Sequence, residues 1–133
     1  MEGYLLDTNI CIYLLKDRYG IAERLSSLGD MRVCISEITL AELYYGASKS
    51  ERREEQIHDV HIIANMFEVL PISGSLELYG DNRYQLEKRG MRIDDFDLLI
   101  GTTAIVNNLV VVTENVNHLG RIPNVRVENW IER

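Results

Sequence analysis

A three-layer α/β fold, with a central, mainly parallel sheet flanked by helices, is predicted on three observations. Short apolar runs at 3–6, 32–35, 69–72 and 109–113 alternate with stretches whose apolar residues recur at helical spacing. Such alternation implies parallel strands joined by right-handed helical crossovers. The run Leu109-Val110-Val111-Val112-Thr113 has no polar alternation, as expected of a strand covered on both faces. With 133 residues, 46% hydrophobic and only two prolines, a folded chain buries roughly two-thirds of its unfolded surface and needs no disulfide or structural metal.

The elements follow in order. Residues 3–6 read as a strand halted by the polar turn Asp7-Thr8-Asn9, and 10–15 as a helix ending at Lys16-Asp17. Ile21, Ala22, Leu25 and Leu28 space a helix over 20–28, which Gly29-Asp30 closes. Residues 32–35 form the next strand, and Ser36 caps a helix through Ala47 because its hydroxyl accepts from unpaired first-turn amides. Ser50 is expected to cap a further helix to about Phe67, charged at its start and apolar after Ile57. Residues 69–72 read as a strand and 75–89 as a helix, with Lys88-Arg89 facing its carbonyl end and Gly90 at C′. Residues 93–107 form another helix, 109–113 a buried strand and 125–127 a last one. No repeat, linker or low-complexity tract divides the chain, so 1–133 is read as one domain.

Composition narrows the function. Fourteen basic against 21 acidic residues give a net charge of -7, so no overall basic field attracts nucleic acid and any such contact must be local. Cys11 and Cys34 each lie in an apolar run, where a thiol serves as a small buried hydrophobe, and a reducing compartment fits them. The start Met1-Glu2-Gly3 lacks a basic leader, and no apolar run reaches the 18 or so residues of a membrane span. A soluble, cytoplasmic protein without membrane contact is expected. There is no glycine-rich phosphate loop and no Cys/His spacing for zinc.

In parallel sheets, ligands bind where strands end and helices begin. Asp7 and Glu114 each directly follow a strand, so both are expected on one edge of the sheet, either as helix-capping acids or as members of a site. Glu42 lies inside the helix 36–47 among apolar neighbours, where a charge calls for an ion pair, exposure at the helix edge, or a functional partner. Asp94, Asp95 and Asp97 crowd the first turn of 93–107, more acids than the helix dipole requires. Asp97 borders the buried face, beside Leu98-Leu99-Ile100 and in line with Gly101 and Ala104, whereas Asp94 and Asp95 can stay in solvent.

If Asp7, Glu42, Asp97 and Glu114 converge, their repulsion in a partly dry cleft requires a cation. An oxygen-only donor set suits a hard ion, Mg²⁺ or Mn²⁺, whose chemistry on phosphodiesters is to acidify a water and steady the leaving oxygen. Thr8, Asn9, Thr113 and Asn115 are neutral neighbours able to orient carboxylates or waters. Two other phosphate chemistries fit poorly. A dehalogenase-type phosphatase needs aspartate where Asn9 stands, and a receiver domain needs a second acid beside Asp7 and a late lysine where Glu114-Asn115 stands.

Four ordered strings carry a resemblance: Leu5-Leu6-Asp7-Thr8-Asn9-Ile10-Cys11-Ile12, Ile35-Ser36 through Glu42 to Ala47, Phe96-Asp97-Leu98-Leu99-Ile100-Gly101, and Val112-Thr113-Glu114-Asn115. In order, spacing and total length the chain resembles the PIN-domain toxins of the VapC type. The resemblance implies a PIN-like fold and a Mg²⁺- or Mn²⁺-dependent endoribonuclease, the toxin of a type II toxin-antitoxin pair, which cuts structured RNA such as tRNA or rRNA and so stops translation. It implies Asp7, Glu42 and Asp97 as metal ligands and catalytic acids, with Glu114 as a further catalytic or organising acid. It also implies a homodimer and a cognate antitoxin covering the active site, for which the helices of 10–28 and 36–66 offer apolar surface. A catalytically silent PIN-like module for RNA or partner binding is the alternative. Lys49, Arg52, Arg53, Lys88, Arg89, Arg92 and Arg121 are the candidate RNA-contacting cations.

Overall fold

The computed structural model describes residues 3–133; Met1 and Glu2, read above for the absence of a basic leader, lie outside them. The chain runs β1 (Gly3–Leu6), α1 (Thr8–Leu15), α2 (Ile21–Ser27), β2 (Val33–Ser36), α3 (Glu37–Ser48), α4 (Arg53–Met66) and β3 (Glu68–Leu70). After a 3-10 turn at Ser73–Ser75 follow α5 (Leu76–Lys88), α6 (Asp95–Val106), β4 (Leu109–Val112), α7 (Val116–Leu119) and β5 (Val127–Glu128). The strands form a five-stranded sheet in the order β3-β2-β1-β4-β5, and each neighbouring pair is parallel.

Side chains of a strand alternate between faces, and the core divides accordingly. Leu5, Cys34 and Val111 pack with Leu86, Leu98, Ile100 and Leu119 of α5, α6 and α7. Their chain neighbours Leu6, Ile35 and Val112 pack with Ile10, Ile21, Leu43 and Val60 of α1 to α4. The sheet is therefore covered on both faces, which is why β4 carries no polar residue. Both cysteines are free and buried, as their apolar runs imply. Among the described residues no helix is long and apolar enough to cross a membrane.

Local chemistry explains most boundaries. The Ser36 hydroxyl accepts from the Ile38 N–H and caps α3. Gly90 stands at φ +66 after α5, and the pairs Met91 N to Leu86 O and Gly90 N to Glu87 O close the helix as a Schellman motif. Several expected boundaries move. α1 begins at Thr8, because Asp7 caps it rather than belonging to a polar turn. Ser50 accepts from the Arg52 N–H and closes a turn ahead of α4, whose N-cap is Arg52. β3 ends before Pro71, which has no N–H for the ladder. α6 starts at Asp95 with Asp94 as its cap, and α7 is a short helix that the apolar pattern did not predict.

A Cβ on Gly3 would stand 2.6 Å from the Arg32 carbonyl oxygen and 2.9 Å from Arg32 Cβ, where β1 enters the sheet. Gly3→Ala is expected to destabilise the fold by roughly 1–3 kcal/mol through overpacking, read as a lower thermal midpoint; an unchanged midpoint would show that the strand yields at no cost.

This order places the site. From β1 the chain moves outward to β2 and β3, then crosses back to β4 and β5 on the other side. The carboxyl ends of β1 and β4 thus flank the topological switch point, where the crossovers diverge and leave a crevice.

Candidate active site

Asp7 sits at that switch point. It is 4% exposed, and its backbone N–H donates to the Val112 carbonyl at 2.8 Å. Oδ1 accepts from the Thr8 N–H at 2.8 Å, and Oδ2 from the Thr113 hydroxyl at 2.7 Å. The fully buried Thr113 hydroxyl in turn accepts from the Asn115 N–H at 2.9 Å. Burial raises the Asp7 carboxyl above its ordinary range, and the hydrogen bonds from Thr113 and Thr8 counter this in part.

Glu42, half-buried on α3, accepts from the Thr8 hydroxyl at 2.7 Å, and that hydroxyl also lies 3.1 Å from the Thr39 oxygen. The Glu42 carboxyl is raised by burial and by the charges of Asp7 and Asp94, against the Thr8 hydrogen bond. Asp97 lies in the first turn of α6. Burial, followed by the charges of Asp7, Asp94 and Glu42, pushes it up to about 7. The three acids thus act on one another across β1, α3 and α6, and none of the three makes an ion pair with Lys or Arg among the described residues.

Asp94 belongs with them electrostatically. Exposed as expected, it caps α6 by accepting from the Phe96 N–H at 3.0 Å, and its charge still reaches both Glu42 and Asp97. Its position one residue before the helix was the only signal in the sequence. Asp95 is held outward by the Tyr79 phenol at 3.0 Å and Arg92 at 3.3 Å.

Glu114 departs from the expected grouping. Its Oε1 accepts from the Tyr13 phenol at 2.6 Å and its Oε2 from Arg133 Nε at 2.6 Å. The Arg133 guanidinium and the Tyr13 phenol hold its carboxyl below the usual range, and it is absent from the charges that raise Asp7, Glu42 and Asp97. Glu114 shares the sheet edge with Asp7, but its side chain is committed to partners from the two ends of the chain. Asn115 contributes its N–H to Thr113 and the N-cap of α7.

The donor set fits a hard divalent cation in its chemistry. It comprises three carboxylates whose charges oppose one another and no balancing base; two residues beyond Asp7, the buried Asn9 Oδ1 has no hydrogen-bond partner. A positive charge relieves the carboxylates. Among the described residues no three Asp, Glu, His or Cys side chains are already gathered tightly enough to hold an ion, so side-chain rotation of Glu42 or Asp97 toward the fixed Asp7 would have to complete a shell.

A sheet with this strand order and an acidic switch point has counterparts among known proteins. A family model for the PIN domain matches residues 4–124. Ribonuclease VapC2 of Rickettsia felis is 39% identical over 132 residues, 96% of this chain and 97% of the relative. The tRNA(fMet)-specific endonuclease VapC of Salmonella typhimurium is 36% identical over 131 residues, 98% and 99% of the two chains. The crystal structure of VapBC2 from Rickettsia felis, bound to a DNA fragment from its promoter, superposes with a TM-score of 0.89 at 38% identity, covering 96% of this chain and 98% of that one. The chain belongs to the PIN-domain family, among its VapC-type ribonucleases.

Proposed function

We propose that residues 1–133 act as one PIN domain: a Mg²⁺- or Mn²⁺-dependent endoribonuclease, the toxin of a type II toxin-antitoxin pair, that cuts structured RNA to inhibit translation. The observation that carries the reading is the unbalanced charge on Asp7, Glu42 and Asp97, with Asp97 pushed up to about 7. Such a site takes a cation and, through it, a phosphate. Asp7, Glu42 and Asp97 would hold the ion. Once bound, it supplies neutralisation of the phosphate and a lowered pKa for water.

The chain's own residues do the positioning. Thr8 and Thr113 orient Glu42 and Asp7 through their hydroxyls, and Asn9 offers its unpartnered oxygen to a water or the ion. Each acid lies at the start of a helix or on one already anchored to the sheet, so its backbone is fixed and the reorganisation is confined to side-chain rotation. A tRNA is the favoured substrate, since a relative 36% identical over nearly the whole chain carries a tRNA(fMet)-specific name. The free, buried cysteines suit action in the reducing cytoplasm.

An antitoxin fits the opposite wall. A cavity of about 430 Å³ between α1, α3 and α4 is lined by apolar Ile12, Leu15, Leu43 and Val60 together with charged Lys16, Arg52, Asp59 and the site acid Glu42. An amphipathic segment ending in a basic side chain matches that profile. Leu76 and Tyr84, 51% and 59% exposed on one face of α5, offer apolar surface for a homodimer.

The test is incubation of purified, antitoxin-free protein with a tRNA pool, with Mg²⁺ or Mn²⁺ and with excess EDTA. Discrete fragments with 5′-phosphate and 3′-hydroxyl ends, abolished by chelation, are expected. Cleavage that persists in EDTA, or 2′,3′-cyclic phosphate ends, would refute the metal-dependent reading; no fragments from folded protein would favour the silent binding module.

A further inference from the structure

A ribonuclease with net charge -7 and an uncompensated acidic centre repels its polyanionic substrate unless fixed cations lie beside that centre. Of the cations singled out from the sequence, Arg52 is held by Glu55 on α4 and Arg92 by Glu87 and Asp95 near the start of α6, and among the described residues neither lies over an aromatic ring. Arg133 was not among them. Its Nε donates to Glu114 Oε2 at 2.6 Å and an Nη reaches the Tyr13 phenol oxygen at 3.5 Å, while its guanidinium lies 5.1 Å over the Tyr19 ring.

These anchors adjoin the acidic centre through the chain. Glu114 directly follows Thr113, which donates to Asp7 Oδ2, and Tyr13 lies on α1, the helix that Asp7 caps. Tyr19 packs edge-on against Tyr13 with centroids 4.8 Å apart, although its backbone adopts φ +57, a conformation rare for a bulky residue. Three contacts thus order a guanidinium whose side chain stays 61% exposed. A guanidinium has five N–H donors in a rigid fork; with Nε and one Nη engaged, an edge remains for an anion. Because the fork is ordered beforehand, capture of a phosphate costs little side-chain entropy.

We propose that Arg133 is a phosphate-binding residue for RNA at the sheet edge that carries Asp7, with Glu114 and Tyr13 as the positioning residues that hold its guanidinium. This rests on the ribonuclease reading and assigns the acid at 114 a task outside the carboxylate group: it aims a cation.

The experiment measures binding of fluorescein-labelled tRNA(fMet) by anisotropy over a range of NaCl concentrations. The parent carries Asp97→Asn to prevent cutting, and is compared with the same chain bearing Arg133→Gln, Arg133→Lys or Glu114→Gln. Each phosphate contact contributes roughly 0.7–0.9 to the slope of log K against log salt. Arg133→Gln is expected to lower that slope by about this amount and to weaken binding several-fold at low salt. Arg133→Lys should restore the slope but not the full affinity; Glu114→Gln should keep the slope and lose part of the affinity. If the parent binds with a clear salt dependence and Arg133→Gln matches it in slope and affinity, Arg133 does not bind phosphate although the ribonuclease reading stands. If Arg133→Gln loses affinity with an unchanged slope, or Arg133→Lys fails to restore the slope, the residue is structural and the proposal falls. If the folded parent does not bind the RNA at all, the ribonuclease reading fails first and the proposal with it.

Discussion

Asp97→Asn is expected to abolish RNA cleavage and, in the same protein, to raise the melting temperature at neutral pH. The two effects share one cause. Asp97 is a half-buried carboxyl in the field of Asp7, Asp94 and Glu42, and its value stands at about 7 instead of the ordinary 3.8. An acid whose pKa is higher in the folded than in the unfolded chain binds more protons when folded. Stability therefore falls as pH rises from about 4 to about 7, and stays reduced above it. Asparagine carries no charge to repel, so variant and parent should melt together near pH 4 and separate toward pH 7, with the variant higher. Cleavage should fall by on the order of 10²-fold or more, because even outer-shell changes around metal sites cost 10–100-fold. Added Mn²⁺ should raise the midpoint of the parent by mass action and leave the variant nearly unmoved. Calorimetric melts across pH, with and without Mn²⁺, test this. A variant that melts below the parent at pH 7 would show that the Asp97 carboxylate is a net stabiliser, and one that cuts at the parent rate would remove it from the site.

Asp7 predicts a different pairing of effects. Its oxygens are committed to the Thr8 N–H and the Thr113 hydroxyl, and it is buried at 4% exposure. Asp7→Ala strips the cap from α1, which typically costs about 1 kcal/mol, and strands the fully buried Thr113 hydroxyl, worth a further ~1–3 kcal/mol. Removing a desolvated carboxylate offsets part of that loss. A net destabilisation of roughly 1–3 kcal/mol is expected, seen as a lower midpoint in a urea melt. Asp7→Asn keeps a cap acceptor, and the Thr113 rotor can turn to meet the new amide, so its midpoint should stay close to that of the parent. Both variants should lose cleavage to the same depth. The contrast separates charge from scaffold: if Asp7→Asn retained cleavage while Asp7→Ala lost it, Asp7 would be a structural cap only.

Much of the fold was legible because its signals are local. The unalternating run Leu109 to Thr113 predicts a strand covered on both faces, and Leu6 and Val112 lie in one core while their neighbours Leu5 and Val111 lie in the other. Ser36 and Gly90 end or begin helices through hydrogen bonds made within a few residues, so their residue types suffice to place them. Boundaries that moved did so where one side chain had two local options. Asp7 could belong to a turn or cap a helix; Ser50 could cap α4 or close the turn before it.

For the candidate site, the sequence determined which positions stand at strand ends and helix starts. Parallel topology then brings Asp7 and Thr113 together at the switch point, and the family motifs single out Glu42 and Asp97. What the tertiary structure decided is where each carboxylate points and which charges it meets. Asp94 stays exposed, as its place off the buried face implies, yet its charge reaches Glu42 and Asp97. Glu114 was grouped with the acids by its strand-end position, yet it turns to Tyr13, 101 residues earlier, and to Arg133, 19 residues later. A strand's register specifies where a Cα lies, whereas a side chain settles on whichever partner the fold brings within hydrogen-bonding reach. Those partners come from distant parts of the chain, and no local pattern of residues encodes them.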